Sequence, residues 1–313
     1  GTGAVVQRFW LKTFDALAGR VRLEAICSGR LASAEALAAQ RPGLRVLADA
    51  QALAADAAVD ALLICSPPDL HRAQAETALA AGKPVLVEKP LTACYDETVV
   101  LLRSAQAASV PFMATFNNLY RDNNAWLRRA VLEGAVGTLE RVDIRWLREM
   151  LPETHDWLYQ AERSGGGVMA DIGIHVFINA LALVPTRGGF RLDCRTESRS
   201  AVSGPAEDWA EVRLTIDDGP QMHFTLGWGL TLGQPVDFAF TAEGTGGALS
   251  TVEFKGPVDD GYRRLFERFL TLVETGGRAD LDLYHDSMLI LDACYRSAAS
   301  GAAVSGHFGL PSG

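Results

Sequence analysis

Short apolar runs alternate with helical patterns through the first third of the chain. The helical patterns include residues 31–40, 69–81 and 96–108, and small or polar residues punctuate them. Strands that alternate with helices are typical of β-α-β units, so this part predicts a doubly wound parallel sheet. The predicted strands cover residues 21–27, 45–48, 61–65, 85–87 and 111–115.

Longer runs in which apolar and polar residues alternate dominate the remainder. This alternation predicts an α+β domain with a large, mostly antiparallel sheet that has one open face. An open face of this size suggests a subunit contact, so we expect a homodimer or homotetramer formed through the C-terminal sheet. The predicted domains are therefore residues 1–115 and 116–313. The predicted strands cover residues 137–146, 190–199, 209–216, 221–228, 236–242 and 248–252, and helices 259–274 and 282–300 close the chain.

Composition narrows the class of protein. The chain has 313 residues, 48% of them hydrophobic, and a formal net charge of −9. This acidic balance disfavours nucleic acid as a partner. No apolar run approaches the roughly 20 residues of a membrane span. Five scattered cysteines without a Cys-x-x-Cys pair favour reduced thiols in the cytoplasm, and no His/Cys spacing predicts a metal site.

The chain opens with a glycine turn that is typical of dinucleotide binding. Gly1 and Gly3 match a Gly-x-Gly-x-x-Gly/Ala pattern, and a helical segment over residues 5–18 follows. The N-terminus of such a helix would face phosphates. We expect the first strand of the fold to lie outside the numbered chain. The predicted phosphate-binding residues are Gly1, Thr2, Gly3, Ala4 and Val5.

The end of the predicted strand 21–27 bears on cofactor choice. NAD-specific folds place an acidic residue near this point, and here the chain has Ser28 and Arg30 instead. A hydroxyl and a guanidinium suit a 2′-phosphate, so NADP is favoured over NAD. The alternative is that Ser28 caps the helix 31–40 and Arg30 is solvated.

A charged pair and a proline end the apolar strand 85–87. Ligands bind at the carboxyl ends of strands in open α/β sheets, and Glu88 and Lys89 lie at such an end. Pro90 biases Lys89 away from helical backbone, so the chain turns there. The alternative is an ordinary surface ion pair.

A second cluster follows a glycine run that we expect to be flexible, at residues 165–167. Asp171 and His175 are four residues apart and so share one face of a predicted helix. A carboxylate one turn before a histidine can orient its ring and stabilise the imidazolium during proton transfer. The alternative is an Asp cap beside an exposed histidine, but the surrounding positions are apolar.

Together these stretches resemble the glucose–fructose oxidoreductase/inositol dehydrogenase (Gfo/Idh/MocA) family. The resemblance implies a Rossmann domain followed by an α+β domain. It also implies that Lys89, Asp171 and His175 are catalytic. The matching motifs are Ser66-Pro67 with His71, Ala81-Gly82-Lys83, Glu88-Lys89-Pro90, Gly165-Gly166-Gly167 with Asp171, Gly173 and His175, and Tyr295, Ser297, Ala298 and Gly301 near the end.

The resemblance also implies further site residues. The chain departs from the family pattern at Leu119, Leu158 and Ile178, and the departure at Leu158, beside Trp157, leaves the substrate undefined. The cofactor set is Cys65, Ser66, Pro67, His71, Glu88, Lys89 and Asn117, in addition to the glycine turn, Ser28 and Arg30. Trp157 lies in the family's substrate-facing loop, and Tyr284 and His285, near the start of the closing helix, are expected at the rim of the cleft.

The function implied is an NAD(P)-dependent oxidoreductase. Hydride passes between the nicotinamide and a secondary alcohol, ketone or hemiacetal carbon of a sugar, cyclitol or related polyol. An anionic substrate would need local arginines such as Arg121, Arg145 and Arg148. The alternative is a non-catalytic member that senses a dinucleotide or sugar and acts through protein contacts; the intact set Lys89, Asp171 and His175 argues against it.

Overall fold

The computed structural model describes residues 1–149, 157, 159–185, 188–199, 206–230 and 236–311. The chain forms two compact units. The first unit consists of Gly1–Thr92, Asp96–Asn117 and Gly261–Asp280, and the second of Ala93–Tyr95, Asn118–Asp260 and Leu281–Gly313. The domain boundary after Thr115 stays a prediction.

The first unit contains the predicted parallel strands. β1 pairs with β2, and β3, β4 and β5 form a second parallel group in that order. β4 is completely buried, as expected for a strand covered on both faces. The doubly wound class is confirmed. The strands are β1 (Ala25–Ile26), β2 (Arg45–Val46), β3 (Leu62–Ile64), β4 (Val85–Val87) and β5 (Phe112–Ala114).

Five helices lie among these strands in the described residues up to Ala107. α4 follows a short 3-10 turn, Pro68–Leu70, at the end of β3. The helices are α1 (Leu11–Ala16), α2 (Leu31–Ala39), α3 (Ala50–Ala55), α4 (His71–Ala80) and α5 (Tyr95–Ala107).

An aromatic cluster joins a late segment of the chain to the first unit. A π-helical turn, Val6–Trp10, leads into α1, and α9 (Tyr262–Thr275) packs against it. The Phe9 and Tyr262 rings stack at 4.8 Å, and Trp10 meets Tyr262 edge-on at 5.0 Å. Large aromatic side chains contribute strongly to core stability. This packing explains why Gly261–Asp280 belongs to the first unit.

The second unit contains a seven-stranded sheet in the order β11-β10-β6-β9-β8-β7-β12. β6 and β9 run parallel and the other neighbours run antiparallel, so the predicted mostly antiparallel sheet is confirmed. The strands are β6 (Leu139–Arg148), β7 (Gly189–Glu197), β8 (Trp209–Ile216), β9 (Gln221–Gly227), β10 (Val236–Gly244), β11 (Gly247–Ser250) and β12 (Val304–His307).

Helices pack against the face of this sheet that carries the buried side chains. α8 (Ile174–Leu181) is buried along its whole length and packs with α10 (Leu281–Ser300), which also contacts β7. α6 (Asp122–Leu132) and the short α7 (Ala161–Ser164) complete the unit. Within the described residues, no helix combines the length and the apolar character that crossing a membrane requires.

The other face of the sheet is charged. Its side chains alternate with buried ones along β8, and its cations pair with anions of the same or neighbouring strands. The ion pairs are Arg141–Asp143, Arg145–Asp237 and Arg213–Glu211, and His223 Nε2 lies 3.1 Å from Glu211 Oε1. The open face predicted from the alternation is therefore polar.

Two strands differ from the predicted pattern. The predicted strand 21–27 shrinks to the two residues of β1, and the edge strand β12 is not predicted at all. β12 is four residues long and contains Gly306, so it has no apolar alternation to detect.

Candidate active site

The glycine turn lies between the carboxyl ends of β1 and β3. The Gly1 amino nitrogen donates to Cys27 O at 2.9 Å, and a Cβ on Gly1 would lie 2.5 Å from Cys65 O. A Cβ on Gly3, by contrast, would meet nothing within 4 Å. The helical segment begins at Ala4, so its first N–H groups have no partners inside the helix. An open glycine before a helix N-terminus fits a dinucleotide pyrophosphate.

Hydroxyl groups connect this turn to the end of β1. Thr2 Oγ1 and Ser28 Oγ are 3.2 Å apart, and Ser28 Oγ accepts the Arg30 N–H at 3.2 Å. Arg30 occupies the N-cap position of α2, so the alternative in which Ser28 caps that helix is wrong. The Arg30 side chain is exposed. The structure thus brings the predicted ribose-side residues to the glycine turn.

His71 joins the loops that follow β3 and β4. Its Nε2 lies 2.8 Å from Ser66 O and its Nδ1 lies 3.0 Å from Pro90 O. The ring is fully buried, and burial lowers the pKa of His71, while the two carbonyls oppose that shift. His71 therefore braces the Ser66-Pro67 turn and the turn that carries Lys89.

Glu88 is a buried carboxylate at the end of β4. Trp10 Nε1 donates to its Oε1 at 2.8 Å, and Thr115 Oγ1 donates to its Oε2 at 2.6 Å. Burial raises the pKa of Glu88, and these hydrogen bonds partly oppose the shift. Glu88 thereby ties the first helix to the ends of β4 and β5.

The backbone of Lys89 is held by Glu88 and Thr115. Its backbone N–H donates to Glu88 Oε2 at 3.2 Å and to Thr115 Oγ1 at 3.1 Å. The Lys89–Pro90 peptide bond is cis, and the lysine side chain is half-buried. Asn117 is 8% exposed and opens the short 3-10 turn Asn117–Tyr120.

The glycine run of the second unit is tightly packed, so the prediction of a flexible run is wrong. Gly166 has a φ of 138°, and a Cβ there would overlap the Tyr295 hydroxyl. A Cβ on Gly167 would overlap Glu207 O. The missing side chains permit close approach of α10 and of the loop before β8.

Glu207 caps the helical segment that carries Asp171. Its carboxylate accepts the N–H groups of Gly167 and Met169 at 3.0 Å, and Tyr295 Oη donates to it at 2.8 Å. Burial raises the pKa of Glu207, against the pull of these donors. Sequence reasoning missed Glu207, which lies in no motif. The sequence motif near the end of the chain includes Tyr295, but it does not indicate that Tyr295 bonds Glu207.

Asp171 lies in a π-helical turn, Met169–Gly173, directly before α8. The α-helical spacing used to pair Asp171 with His175 therefore does not hold there, because a π-turn bonds i to i+5. Asp171 Oδ2 accepts from Arg148 Nη2 at 2.6 Å. The Arg148 guanidinium lies 6.0 Å from the ring centroids of Trp146 and Trp228. Such π-turns are frequent at functional sites.

His175 is buried, with 4% of its surface exposed, so the alternative of an exposed histidine is wrong. Its ring centroid lies 6.1 Å from that of Trp146, on the same strand as Arg148. The second unit therefore brings Asp171 and His175 to the end of β6 at which Trp146 and Arg148 lie.

The remaining predicted residues have the following places. Trp157 lies in a turn and is half-buried, and Leu158 is outside the described residues. Tyr284 is 5% exposed within α10. Across the described residues, no group of three His, Cys, Asp or Glu side chains could hold a metal ion.

The arginines considered for anion binding face carboxylates. Arg148 pairs with Asp171, and Arg145 Nε lies 2.9 Å from Asp237 Oδ2. Burial lowers the pKa of Arg121, while the negative charges of Asp260 and Asp259 oppose that shift. The charge of each arginine is thus at least partly balanced within the second unit.

The parallel sheet with its glycine turn and the sheet domain that follows define a dinucleotide-dependent oxidoreductase of two units. The family model described as "Oxidoreductase family, NAD-binding Rossmann fold" matches residues 1–116, and the GFO/IDH/MocA C-terminal domain matches residues 124–250. The chain belongs to the Gfo/Idh/MocA oxidoreductase family.

Individual oxidoreductases also resemble this chain in sequence or in structure. A D-xylose 1-dehydrogenase (NADP(+)) of Haloferax volcanii is 29% identical over 271 residues, 81% of this chain and 82% of that enzyme. GenD2 from gentamicin A biosynthesis, solved with NAD, aligns with a TM-score of 0.83 and 22% identity over 94% of this chain and 92% of that one. Myo-inositol 2-dehydrogenase from Lactobacillus plantarum aligns with a TM-score of 0.81 and 18% sequence identity, over 97% of this chain and 97% of that one. The two structures show a shared fold.

Replacing Gly166 with alanine tests the packing of the glycine run. The added methyl group would overlap Tyr295 on a backbone with positive φ, so Gly166→Ala should cost about 2–5 kcal/mol of unfolding free energy. Gly134→Ala is the matched control, because Gly134 also has positive φ but open space around it. Urea unfolding measures both; equal losses would contradict the close packing.

The buried carboxylate of Glu88 makes stability depend on pH. Its pKa is raised above the ordinary 4.5, so the folded state favours the protonated carboxyl. That contribution is present below about pH 4.5 and is lost as pH rises through the raised pKa. The unfolding free energy of wild type relative to Glu88→Gln should therefore fall with rising pH and then level off. Exposed Glu35→Gln is the control, and a difference that grew with pH would refute the burial argument.

Proposed function

We propose that this protein is an NAD(P)-dependent dehydrogenase that acts on a secondary alcohol or hemiacetal carbon of a neutral sugar, cyclitol or related polyol. The observation that carries the proposal is the buried His175, which lies in the same unit as the Arg148–Asp171 ion pair and beside Trp146, together with an intact Glu88-Lys89-Pro90 turn. The relatives named above act, by their names, on xylose and myo-inositol.

The first unit supplies the residues that would hold the cofactor. The open Gly3 and the helix N-terminus fit the pyrophosphate, and Ser28 and Arg30 fit the adenosine ribose. The Ser66-Pro67 turn and Asn117 are assigned to the nicotinamide side. When bound, the nicotinamide accepts or donates the hydride.

In the proposed reaction His175 exchanges the proton of the substrate hydroxyl. Asp171, oriented by Arg148, holds negative charge near the developing imidazolium. Lys89 stabilises the alkoxide charge that develops as the carbon is oxidised. Glu88 acts through Lys89, because it holds the lysine backbone in place.

A neutral substrate agrees with the charges of the second unit. Arg145 and Arg148 already pair with carboxylates, so neither offers an uncompensated cation to a sugar acid or nucleotide sugar. Hydroxyl-rich substrates need hydrogen-bond partners rather than net charge.

NADP is the cofactor that we favour. Ser28 Oγ is oriented by the Arg30 N–H, and the exposed Arg30 guanidinium suits a bidentate contact with a 2′-phosphate. The name of the Haloferax volcanii relative includes NADP(+).

We further propose a cytoplasmic homodimer or homotetramer. Cys194 and Cys294 are buried neighbours, yet both are free thiols, which suits a reducing compartment. The charged face of the large sheet carries both signs and could match a second copy of itself. Sedimentation at low and high salt tests this assembly.

Lys89→Met and His175→Gln test the assignment of the chemistry. Each should lower kcat with D-xylose, inositol or the true substrate by about 10²–10⁴-fold, because each removes charge or proton transfer from the reaction. The Kd for NADPH, followed by its fluorescence, should change little. Leu132→Ala, an exposed change, is the control. Normal turnover in both variants would contradict the assignment, and wild type that binds NADPH without any turnover would favour the sensor.

Arg30→Ala tests the choice of cofactor. Loss of a charge-assisted contact with the 2′-phosphate should lower kcat/KM for NADP⁺ by about 10- to 100-fold. The value for NAD⁺ should stay the same, since NAD⁺ lacks that phosphate. Arg22→Ala, another exposed arginine of the same unit, controls for lost surface charge. Equal effects on both cofactors would refute the NADP assignment.

A further inference from the structure

The second unit contains a chain of hydrogen bonds that links three residues outside the proposed catalytic set. Tyr95 Oη lies 2.7 Å from His285 Nε2, and His285 Nδ1 lies 2.8 Å from Asp286 Oδ1. An ionised carboxylate only accepts, so His285 Nδ1 donates to Asp286, and Nε2 is the ring atom that faces the tyrosine hydroxyl. Each group thus fixes the orientation of the next.

The histidine and the carboxylate of this chain are buried, and Tyr95 is half-buried. His285 and Asp286 are 1% and 0% exposed, and the Gly309 N–H donates to Asp286 Oδ1 at 2.8 Å. Among the described residues, no donor reaches Asp286 Oδ2. A buried carboxylate with an unsatisfied oxygen is costly, and such groups call for an explanation.

The path of the chain suggests what the arrangement does. The polypeptide leaves the first unit after Thr92, contributes Ala93–Tyr95 to the second unit, and returns at Asp96. Gly165 of the glycine run packs on Ala93, since a Cβ on Gly165 would lie 3.1 Å from Ala93 O. This three-residue segment is thus fixed by its backbone at Ala93 and by its side chain at Tyr95.

Lys89 lies only six residues before Tyr95 in the sequence. At the other end of the intervening loop, Glu88 and Thr115 hold the Lys89 backbone. We propose that Tyr95, His285 and Asp286 form an anchor, which we call the Tyr95 anchor. It positions the loop of residues 89–94, and with it Lys89, for the reaction. This inference rests on the proposed function, because it assigns Lys89 a place in the chemistry. The three residues are positioning residues that act through Lys89.

The first arm of the test does not depend on activity. Hydrogen exchange of the peptide spanning residues 89–97 reports local opening of the loop. Loss of one hydrogen bond in Tyr95→Phe should make this peptide exchange about five- to tenfold faster. Ser297→Ala is the matched control, because Ser297 is also a buried hydroxyl on α10 that bonds Cys194 N and Ala302 O. Unchanged exchange in Tyr95→Phe, or equal acceleration in Ser297→Ala, would overturn the anchor.

The second arm uses turnover and a conservative replacement. Tyr95→Phe and His285→Leu should lower kcat by about 10- to 100-fold, the range expected when a reacting group is misplaced by about 1 Å. The Kd for NADPH should stay the same. His285→Gln should restore part of kcat, because its amide can accept from Tyr95 and donate to Asp286. Equal losses for glutamine and leucine, or loss of NADPH binding, would refute the positioning role.

The two arms separate this inference from the proposed function. Suppose that wild type has no dehydrogenase activity but hydrogen exchange of residues 89–97 is still faster in Tyr95→Phe. The Tyr95 anchor is then a property of the fold, and its role in catalysis is refuted. If wild type is active and the anchor variants are fully active, the anchor falls and the dehydrogenase assignment stands.

Discussion

Burial of a carboxylate under a set of matched donors is the constraint on which both units depend. Glu88 in the first unit and Glu207 in the second are each 9% exposed or less, and burial raises the pKa of both. Taking a carboxylate out of water is tolerable only when donors surround it. The donors come from distant parts of the sequence: Trp10 and Thr115 for Glu88, and Gly167, Met169 and Tyr295 for Glu207. Each carboxylate therefore fixes several chain segments at once.

The candidate catalytic groups are placed by these supports rather than by their own contacts alone. Glu88 holds the backbone of Lys89, and Glu207 caps the turn from which Asp171 projects. Both supports lie next to a π-helical turn, Val6–Trp10 in one unit and Met169–Gly173 in the other. A π-turn rotates the following residues relative to an α-helix, and such turns often accompany functional sites.

Local patterns predicted much of the fold and named the candidate site residues, whose roles stay predictions. The apolar run of β4 and the alternation along β8 are signals carried within a few residues, and each produced a correct element. Partners that are close only in three dimensions were not predictable. Tyr262 packs on Phe9, and Tyr295 bonds Glu207. The sequence around one member of each pair does not indicate the other member. The glycine run looked flexible because a lone sequence does not show that Tyr295 and Glu207 fill the space beside it.

The aromatic packing of Tyr262 on Phe9 and Trp10 has a consequence for how the chain can be divided. The polypeptide passes between its two units five times, and the segment Gly261–Asp280 reaches the first unit only after most of the second has been made. A fragment that stops near residue 116 would keep Phe14 beside the indole of Trp10 but lose the Tyr262 and Phe266 rings, which would expose the indole to water. Autonomous expression of the nucleotide-binding half therefore requires a graft of α9, and during synthesis on the ribosome that half completes its core only late.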